Sequence, residues 1–319
     1  MDKTAIENNK KPSRLASWLR SAGKDLRKNK SVYLLMIPGI LYYIIFHYAP
    51  MYGVLISFVD YSPARGIFGS EWVGLHHFKD FFEGMYAWRV IRNTLVINIY
   101  SLIFVFPLGI ILALLMNELR NVKFKKTIQT VTYLPHFISI VVVCGMVVDF
   151  TSSDGFITSI VNAITGKEYN NLLYEVDLYR GIYLASAAWK NFGWNSIIYM
   201  AALAGLDMEL YEAAEIDGAG KWKQLWHITI PGIMPTVVTM FILQVGQLMA
   251  TGSEQTILLY NPVVYEKADL IASFVYRFGL EKSEFSYSSA VGLFNSIVNI
   301  ILVFSANKLS KKINGSGIF

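Results

Sequence analysis

Amide and aromatic side chains recur at helical spacing inside three apolar stretches of this 319-residue chain. Residues three, four or eight positions apart lie on one face of a helix. The stripes comprise Asn191, Asn195 and Tyr199, then Gln244 and Gln247, then Asn295 and Asn299, with Trp189 and Trp194 beside the first stripe. An amide both donates and accepts hydrogen bonds and an indole has a flat apolar face, so the stripes suit a ligand rich in hydroxyl groups. Hydrogen bonding between neighbouring helices is the alternative role for each of them.

A second segment has the chemistry of a protein contact. Residues 211–235 read YEAAEIDGAGKWKQLWHITIPGIMP. Asp207 is a suitable N-cap and Gly218 a suitable end, which predicts a short helix at about 207–218. Its spacing predicts one face with Leu206, Leu210, Ala213 and Ala214 and an opposite face with Glu209, Glu212 and Glu215. The alanines allow another surface to approach closely, and the carboxylates offer partners for Arg or Lys. The alternative is an ordinary helix that links two longer ones.

The sequence predicts no catalytic residues and no metal or cofactor site. The histidines are scattered, and the adjacent pair His76 and His77 lacks the spacing and the carboxylates of a metal site. Cys144 is the single cysteine, so the chain has no internal disulfide. No G-x-x-x-x-G-K-[ST] pattern is present, so if ATP is used, a partner subunit binds it.

The composition places the elements that carry these residues in a membrane. The chain is 54% hydrophobic and 16% charged, whereas soluble proteins average about 25% charged residues. Its apolar residues form six runs, each longer than the roughly 20 residues that a membrane-spanning helix needs. The runs are Ser31 to Phe58, Trp88 to Met116, Phe124 to Phe150, Leu178 to Leu203, Gln224 to Ala250 and Ser286 to Leu309. They lack the period of two that is typical of membrane strands. The predicted fold class is therefore all-α, with six transmembrane helices.

The distribution of Lys and Arg predicts the orientation. These residues concentrate before the first run and in the connection between the second and third runs, at Arg120, Lys123, Lys125 and Lys126. Both segments should be cytoplasmic. Alternation of the spans then places residues 204–223 and both termini in the cytoplasm. The predicted domains are a basic tail at 1–30, a transmembrane domain at 31–309 and a short cytoplasmic tail at 310–319.

The basic tail has a pattern of its own. Leu15, Trp18, Leu19, Ala22 and Leu26 recur at helical spacing, with most of the basic residues on the other side. The pattern favours a helix that lies in the membrane surface, and a disordered basic tail is the alternative.

The segment at 211–235 resembles the cytoplasmic signature of permease subunits of bacterial ABC importers. That signature is E-A-A, three residues, G, nine residues and I-x-L-P. The matching residues are Glu212, Ala213, Ala214, Gly218, Ile228 and Pro231, with Ile230 in place of Leu. The stretch SEWVGLHHFKDFF resembles an element of sugar permeases, although His77 stands where Asn is usual. The stretches PGILYYIIFHYAPMYGVLISFVDY and YSSAVGLFNSIVN are similar to the maltose-type subgroup associated with oligosaccharides and polysaccharide fragments.

This resemblance implies a type I ABC importer permease and its partners. The residues that would couple the permease to an ATPase are Glu212, Ala213, Ala214, Asp217, Gly218, Ile228 and Pro231. The implied partners are a second homologous permease, two ATP-binding cassette ATPases that hold ATP and Mg, an extracellular solute-binding lipoprotein, a carbohydrate and membrane lipid, with no nucleic acid. The implied location is the plasma membrane of a Gram-positive bacterium.

Other classes of protein remain alternatives at this point. A secondary transporter should show paired repeats or an ionisable relay in its spans, yet apart from Lys190 and edge residues such as Asp149 the runs contain hardly any ionisable groups. The same scarcity predicts a neutral or weakly charged oligosaccharide as substrate. A permease for a non-sugar ABC importer, a membrane enzyme and a scaffold without transport activity are the further alternatives.

Overall fold

The computed structural model of the chain describes Asp25, residues 28–249 and residues 253–314. The predicted surface helix in the basic tail lies outside these residues. The described part is mainly helical, with two short antiparallel strands, β1 (Val59–Asp60) and β2 (Glu71–Trp72).

Long helices make up most of the described chain. They are α1 (Lys30–Phe58), α4 (Ala87–Glu118), α5 (Val122–Phe137), α6 (Ile140–Thr151), α8 (Tyr179–Ala204), α10 (Lys221–Val245) and α14 (Phe285–Asn314). Shorter helices lie between them: α2 (Gly66–Gly69), α3 (His76–Glu83), α7 (Phe156–Thr165), α9 (Met208–Ile216), α11 (Ser253–Leu259), α12 (Tyr265–Ala268) and α13 (Ile271–Tyr276).

Four of the described helices are long and apolar enough to cross a membrane: α1, α4, α10 and α14. The bent pair α5 and α6 makes a fifth if the two form one span. Helix α8 has 26 residues, which is about 39 Å at 1.5 Å per residue. It falls outside the apolar set because Lys190, Asn191 and Asn195 lie in its middle.

Helix α1 up to Leu55 forms a compact unit of its own. None of its described side chains is buried within this chain, and most of them are large and apolar. A helix that is apolar all round is typical of a membrane span.

The third predicted run, 124–150, is not the continuous span that the sequence predicted. Helix α5 ends at Phe137, α6 begins at Ile140, and their axes differ by 96°. Pro135 lacks an N–H and so removes one helical hydrogen bond just before the bend. On the far side, the Ser139 hydroxyl accepts a hydrogen bond from the Val141 N–H (3.3 Å) and caps α6. The last predicted boundary also differs, because α14 continues past residue 309 to Asn314.

Helix α8 packs closely against α4 and α5 where glycines allow it. A Cβ on Gly109 of α4 would lie 3.0 Å from the Asn195 Cβ, and a Cβ on Gly193 would lie 2.0 Å from the Thr132 carbonyl oxygen. Backbones in contact at small residues are typical of helix pairs in membranes. The middle of α8 is therefore held between two helices.

A buried carboxylate holds the connection at 253–285 to the start of α4. Asp269 is fully buried, and its Oδ2 accepts hydrogen bonds from Nη2 of Arg89 (2.9 Å) and of Arg277 (2.7 Å). Asn93 donates to the carbonyl oxygens of Glu266 (2.9 Å) and Asp269 (3.2 Å). Burial alone would lower the pKa of Arg277, but the hydrogen bond and charge of Asp269 outweigh it and raise that pKa above its ordinary value.

The contact at Gly193 makes a prediction about stability. Gly193→Ala should destabilise the protein, because the new methyl group overlaps a backbone carbonyl that cannot move aside; such overpacking costs about 1–3 kcal/mol. The matched control is Gly145→Ala in α6, where no atom lies within 4 Å of the new Cβ. Thermal unfolding of the purified protein in detergent measures both. Equal midpoints for the two variants would contradict the close contact.

Candidate functional site

Helix α9 is capped by its own sequence at both ends. The Asp207 carboxylate accepts a hydrogen bond from the Glu209 N–H (2.9 Å). At the other end, Gly218 has φ +75°, a conformation that glycine adopts without strain. The N–H groups of Gly218 and Ala219 donate to the carbonyls of Glu215 (3.0 Å) and Ala214 (2.8 Å). This is the Schellman arrangement, which satisfies the last carbonyls of a helix.

Side chains from α9 and α10 connect the two helices. The Tyr211 hydroxyl lies 2.9 Å from the Thr229 hydroxyl, at hydrogen-bond distance. Ala214 and Ile228 line one groove of about 410 Å³, which also contains Gln224. Gln224 is buried and donates to the Ala219 carbonyl (3.2 Å). The two halves of the sequence signature, at 212–218 and 228–231, thus meet in this structure.

The outer face of α9 is exposed and mixed in character. Met208, Leu210 and Ile216 are 66%, 54% and 87% exposed. The carboxylates of Glu209 and Glu212 are exposed among them. Ala213, Asp217 and Pro231 are also exposed, whereas Ala214 is half-buried on the α10 side. The two alanines of the signature therefore face different surroundings, contrary to the single shared face that their spacing suggested.

A polar cavity of about 610 Å³ lies beside α9. Glu212 and Glu215 line it from α9, Lys221 lines it from α10, and Arg120 lines it from the connection after α4. This cavity brings Arg120 next to the acidic helix.

The interruption between α5 and α6 is capped by a lysine from α8. Lys190 donates to the carbonyl oxygens of His136 (3.0 Å) and Ile138. These carbonyls lie at the C-terminal end of α5, where helical partners are missing and the dipole favours a cation. Lys190 lies 11 residues after Tyr179 and 14 before Ala204, so it is close to the middle of α8, about 17 Å and 21 Å from its ends.

Aromatic and amide groups surround this capped interruption. The rings of His136 and Trp194 are stacked, with centroids 4.4 Å apart and planes 4° from parallel. With a proton on Nδ1, His136 donates to Asn191 Oδ1 (3.3 Å), while Asn191 Nδ2 donates to the Ala187 carbonyl (3.0 Å). Trp194 is still 41% exposed. We call Lys190, His136, Asn191 and Trp194 the break cluster.

The other predicted residues of α8 lie elsewhere. Asn195 is half-buried against Gly109. Tyr199 is buried in an apolar cluster with Ala113, Leu203 and Ile233. Trp189 lines a separate, almost wholly apolar cavity of about 330 Å³ between α6, α7 and α8. The structure therefore divides this stripe among three surroundings.

The stripe on α14 binds the backbone at the end of the α10 segment. Asn299 Oδ1 accepts from the Met249 N–H (2.9 Å), and Asn295 Nδ2 donates to the Met249 carbonyl (2.9 Å). This is the helix-to-helix role that the sequence left open for these amides. On α10 and just after it, Gln244 is half-buried and Gln247 is exposed.

Two members of the break cluster are not among the residues that the sequence predicts for the site. In the sequence, Lys190 is an exception among apolar runs, and His136 is one of several scattered histidines. The signal was available for Lys190, because an ionisable residue in the middle of a span is costly and marks a functional position. For His136 no such signal exists, since its partners lie more than 50 residues away in the chain.

Comparisons with known proteins identify the family. Residues 105–315 match the family described as binding-protein-dependent transport system inner membrane component. Protein LplB of Bacillus subtilis is 44% identical, over 95% of this chain and 94% of the relative. The polygalacturonan/rhamnogalacturonan transport system permease protein YteP of Bacillus subtilis is 42% identical, over 92% of each chain. A crystal structure of a bacterial ABC transporter involved in import of the acidic polysaccharide alginate has a chain with TM-score 0.85 and 37% identity, covering 92% of this chain and 99% of that one.

The chain therefore belongs to the family of binding-protein-dependent transport system inner membrane components. This confirms the resemblance drawn from the signature at 212–231. The match to the alginate transporter also supports the coarse fold, a mainly helical permease of the type I ABC importer class.

The contacts of Met249 make a prediction about the amides of α14. Asn299→Leu should lower the thermal midpoint of the purified protein, because it leaves the Met249 N–H without its partner; a lost hydrogen bond of this kind costs about 0.5–1.5 kcal/mol. Adding Asn295→Leu to this variant should lower the midpoint by less than Asn295→Leu alone does, because both amides bind the backbone of one residue, Met249. Ser296→Ala on the exposed side of α14 is the matched control. Strictly additive decreases in the thermal midpoint would contradict a shared role of the two amides.

Proposed function

We propose that this chain is a permease subunit of an ATP-driven ABC importer and forms half of the translocation pathway for a carbohydrate. The carbohydrate is an oligosaccharide or a polysaccharide fragment, delivered by an extracellular solute-binding protein. The observation that carries this proposal is the similarity, over 92% of the chain, to a polygalacturonan/rhamnogalacturonan transport permease (42% identical) and to a chain of a transporter that imports the acidic polysaccharide alginate (37% identical). A second solved structure of the alginate transporter is in complex with a periplasmic protein bound to an alginate pentasaccharide.

The proposal includes six transmembrane helices and two cytoplasmic termini. Helix α8 would be the least apolar span, and α5 with α6 would form one broken span. The positions of Lys and Arg support this orientation. The membrane in this proposal is the plasma membrane of a Gram-positive bacterium. In a variant without Cys144, a cysteine at Glu168 should react with an impermeant thiol reagent in intact cells, and one at Ile216 should not. The reverse pattern would invert the topology.

The partners follow from the same assignment. We expect a second homologous permease, two ATPase subunits that bind ATP and Mg, and a solute-binding lipoprotein outside. The residues that couple this chain to an ATPase are Glu212, Ala213, Ala214, Asp217, Gly218, Ile228 and Pro231. The exposed apolar and acidic face of α9 supports this role, because a surface of this kind is otherwise left without a partner.

The pathway for the carbohydrate follows α8 in this proposal. The amide Asn191 and the exposed ring of Trp194 supply hydrogen bonds and a stacking face at mid-helix. Asn195, Gln244 and Gln247 would line the same route in this proposal, whereas Tyr199 is buried among apolar residues and Trp189 lines a separate cavity. Asn295 and Asn299 contribute indirectly in this proposal, because their hydrogen bonds hold the backbone of Met249.

Reconstituted transport tests the function. Vesicles that contain the purified permease pair and its ATPases should take up an oligosaccharide only when ATP and the loaded binding protein are both present. Uptake driven by an ion gradient without ATP would establish a secondary transporter instead. ATP-dependent uptake of an amino acid, with no effect of any glycan, would establish a non-sugar importer.

The coupling role predicts unequal effects of two neighbouring carboxylates. Glu212→Ala should strongly reduce binding-protein-stimulated ATP hydrolysis, because truncating one partner of a desolvated charge pair costs about 2–5 kcal/mol. Glu209→Ala, the matched control, should have little effect, since an exposed pair is worth roughly 0–1 kcal/mol. Ala213→Trp should be more harmful than Glu212→Ala, because bulk at the contact keeps the surfaces apart. Normal stimulation and normal co-purification of the ATPase in both Glu212→Ala and Ala213→Trp would reduce α9 to a linker.

A further inference from the structure

Lys190 lies near the middle of α8 and has no carboxylate partner among the residues that the structure describes. Its ammonium group binds two neutral carbonyl oxygens, those of His136 and Ile138. Among the described residues no Asp or Glu forms an ion pair with it. Glu254 is exposed and forms no ion pair with Lys190. Within the described residues the Lys190 ammonium group is therefore solvated by backbone oxygens and has no carboxylate in ion-pair contact.

We propose that Lys190 selects the charge of the transported molecule, and that this molecule is a carboxylate-bearing oligosaccharide of the uronate class. The proposal rests on the carbohydrate function proposed above and names the class of carbohydrate. It departs from the neutral or weakly charged substrate that the scarcity of ionisable groups predicts, because Lys190 is the exception to that scarcity. A charged group inside a bilayer is costly and is retained where it faces a pathway or a partner charge. A carboxylate that passes Lys190 supplies the missing counter-ion.

The donor capacity of Lys190 leaves room for this contact. An ammonium group has three N–H donors, and the two carbonyls use two of them. The side chain is half-buried and so remains accessible from one side. Lysine is also a point charge on a flexible stem, which accepts a carboxylate from a range of directions, unlike the planar fork of arginine. Such tolerance suits a chain of sugar units that moves past a fixed residue.

The neighbours of Lys190 complete a site for a sugar acid. Trp194 offers an exposed ring face, and its stacking on His136 fixes the orientation of that face. Asn191, adjacent to Lys190 in the sequence, offers an amide for hydroxyl groups. A flat apolar face, an amide and a cation within one break cluster match the three parts of a uronate, its ring, its hydroxyls and its carboxylate.

The test compares acidic saccharides with neutral counterparts of the same size. The purified transporter is dialysed against oligogalacturonates and oligoalginates of three to six units, and separately against the same mixtures after chemical reduction of their carboxyl groups. The retained sugar is measured by mass spectrometry and expressed as a ratio of acidic to reduced saccharide. Lys190→Gln keeps N–H donors for the carbonyls but removes the charge, and Lys190→Arg keeps the charge. Lys167→Met, at an exposed lysine outside the long helices, is the matched control.

We expect the wild-type protein to favour the acidic mixtures, and Lys190→Gln to lower the ratio at least tenfold. Lys190→Arg and Lys167→Met should retain the preference, with the yield and thermal midpoint of each complex as folding controls. An unchanged ratio in Lys190→Gln overturns the proposal. Equal losses for acidic and reduced saccharides also overturn it, because they assign Lys190 a purely structural role. If the wild-type protein retains only the reduced mixtures, the acidic class is wrong but the carbohydrate function is not contradicted. The carbohydrate function is contradicted only if the vesicle assay shows no saccharide uptake.

Discussion

A backbone group that leaves its helix inside a bilayer has no water to bind, so another part of the protein must satisfy it. The described chain meets this constraint at two places with polar side chains from neighbouring helices. Lys190 binds the free carbonyls where α5 ends, and Asn295 with Asn299 binds both polar groups of Met249 after α10. The two interruptions and the polar residues opposite them therefore depend on each other.

Polar residues that bind interrupted backbone are less available to a ligand. The α14 amides are occupied by backbone, and Tyr199 is enclosed by apolar neighbours. On α8, Asn191 and Trp194 keep exposed or half-exposed surface beside the interruption. Irregular backbone in a membrane is tolerated where it is enclosed by protein or lines a cavity, and transporters commonly bind substrate at such broken helices. The residues that satisfy the interrupted backbone thus lie beside the ones that we propose for the carbohydrate.

Much of the architecture could be predicted from sequence because hydrophobic run length and capping residues are local signals. The predicted runs correspond to observed helices within a few residues at most ends, and Asp207 and Gly218 delimit α9. The 96° bend could not be predicted, because Pro135 alone does not end a membrane helix and the donor that stabilises the bend comes from Lys190, 52 residues after Ile138. The exposed α9 face was predicted only in part, since helical spacing does not reveal that Tyr211 rather than Leu210 turns toward α10.

The doubly capped helix α9 has a mechanical consequence. Its first turn is fixed by Asp207, its last turn is closed by the Schellman hydrogen bonds, and Tyr211 ties its middle to Thr229. A helix held at both ends and in its middle should bend little. If a partner displaces the outer face of α9, the helix should move as a rigid body and shift the first turns of α10 with it. Little of the displacement should be lost in bending of the connection. The stiffness of this short helix would allow a soluble ATPase to move a membrane helix that it does not contact.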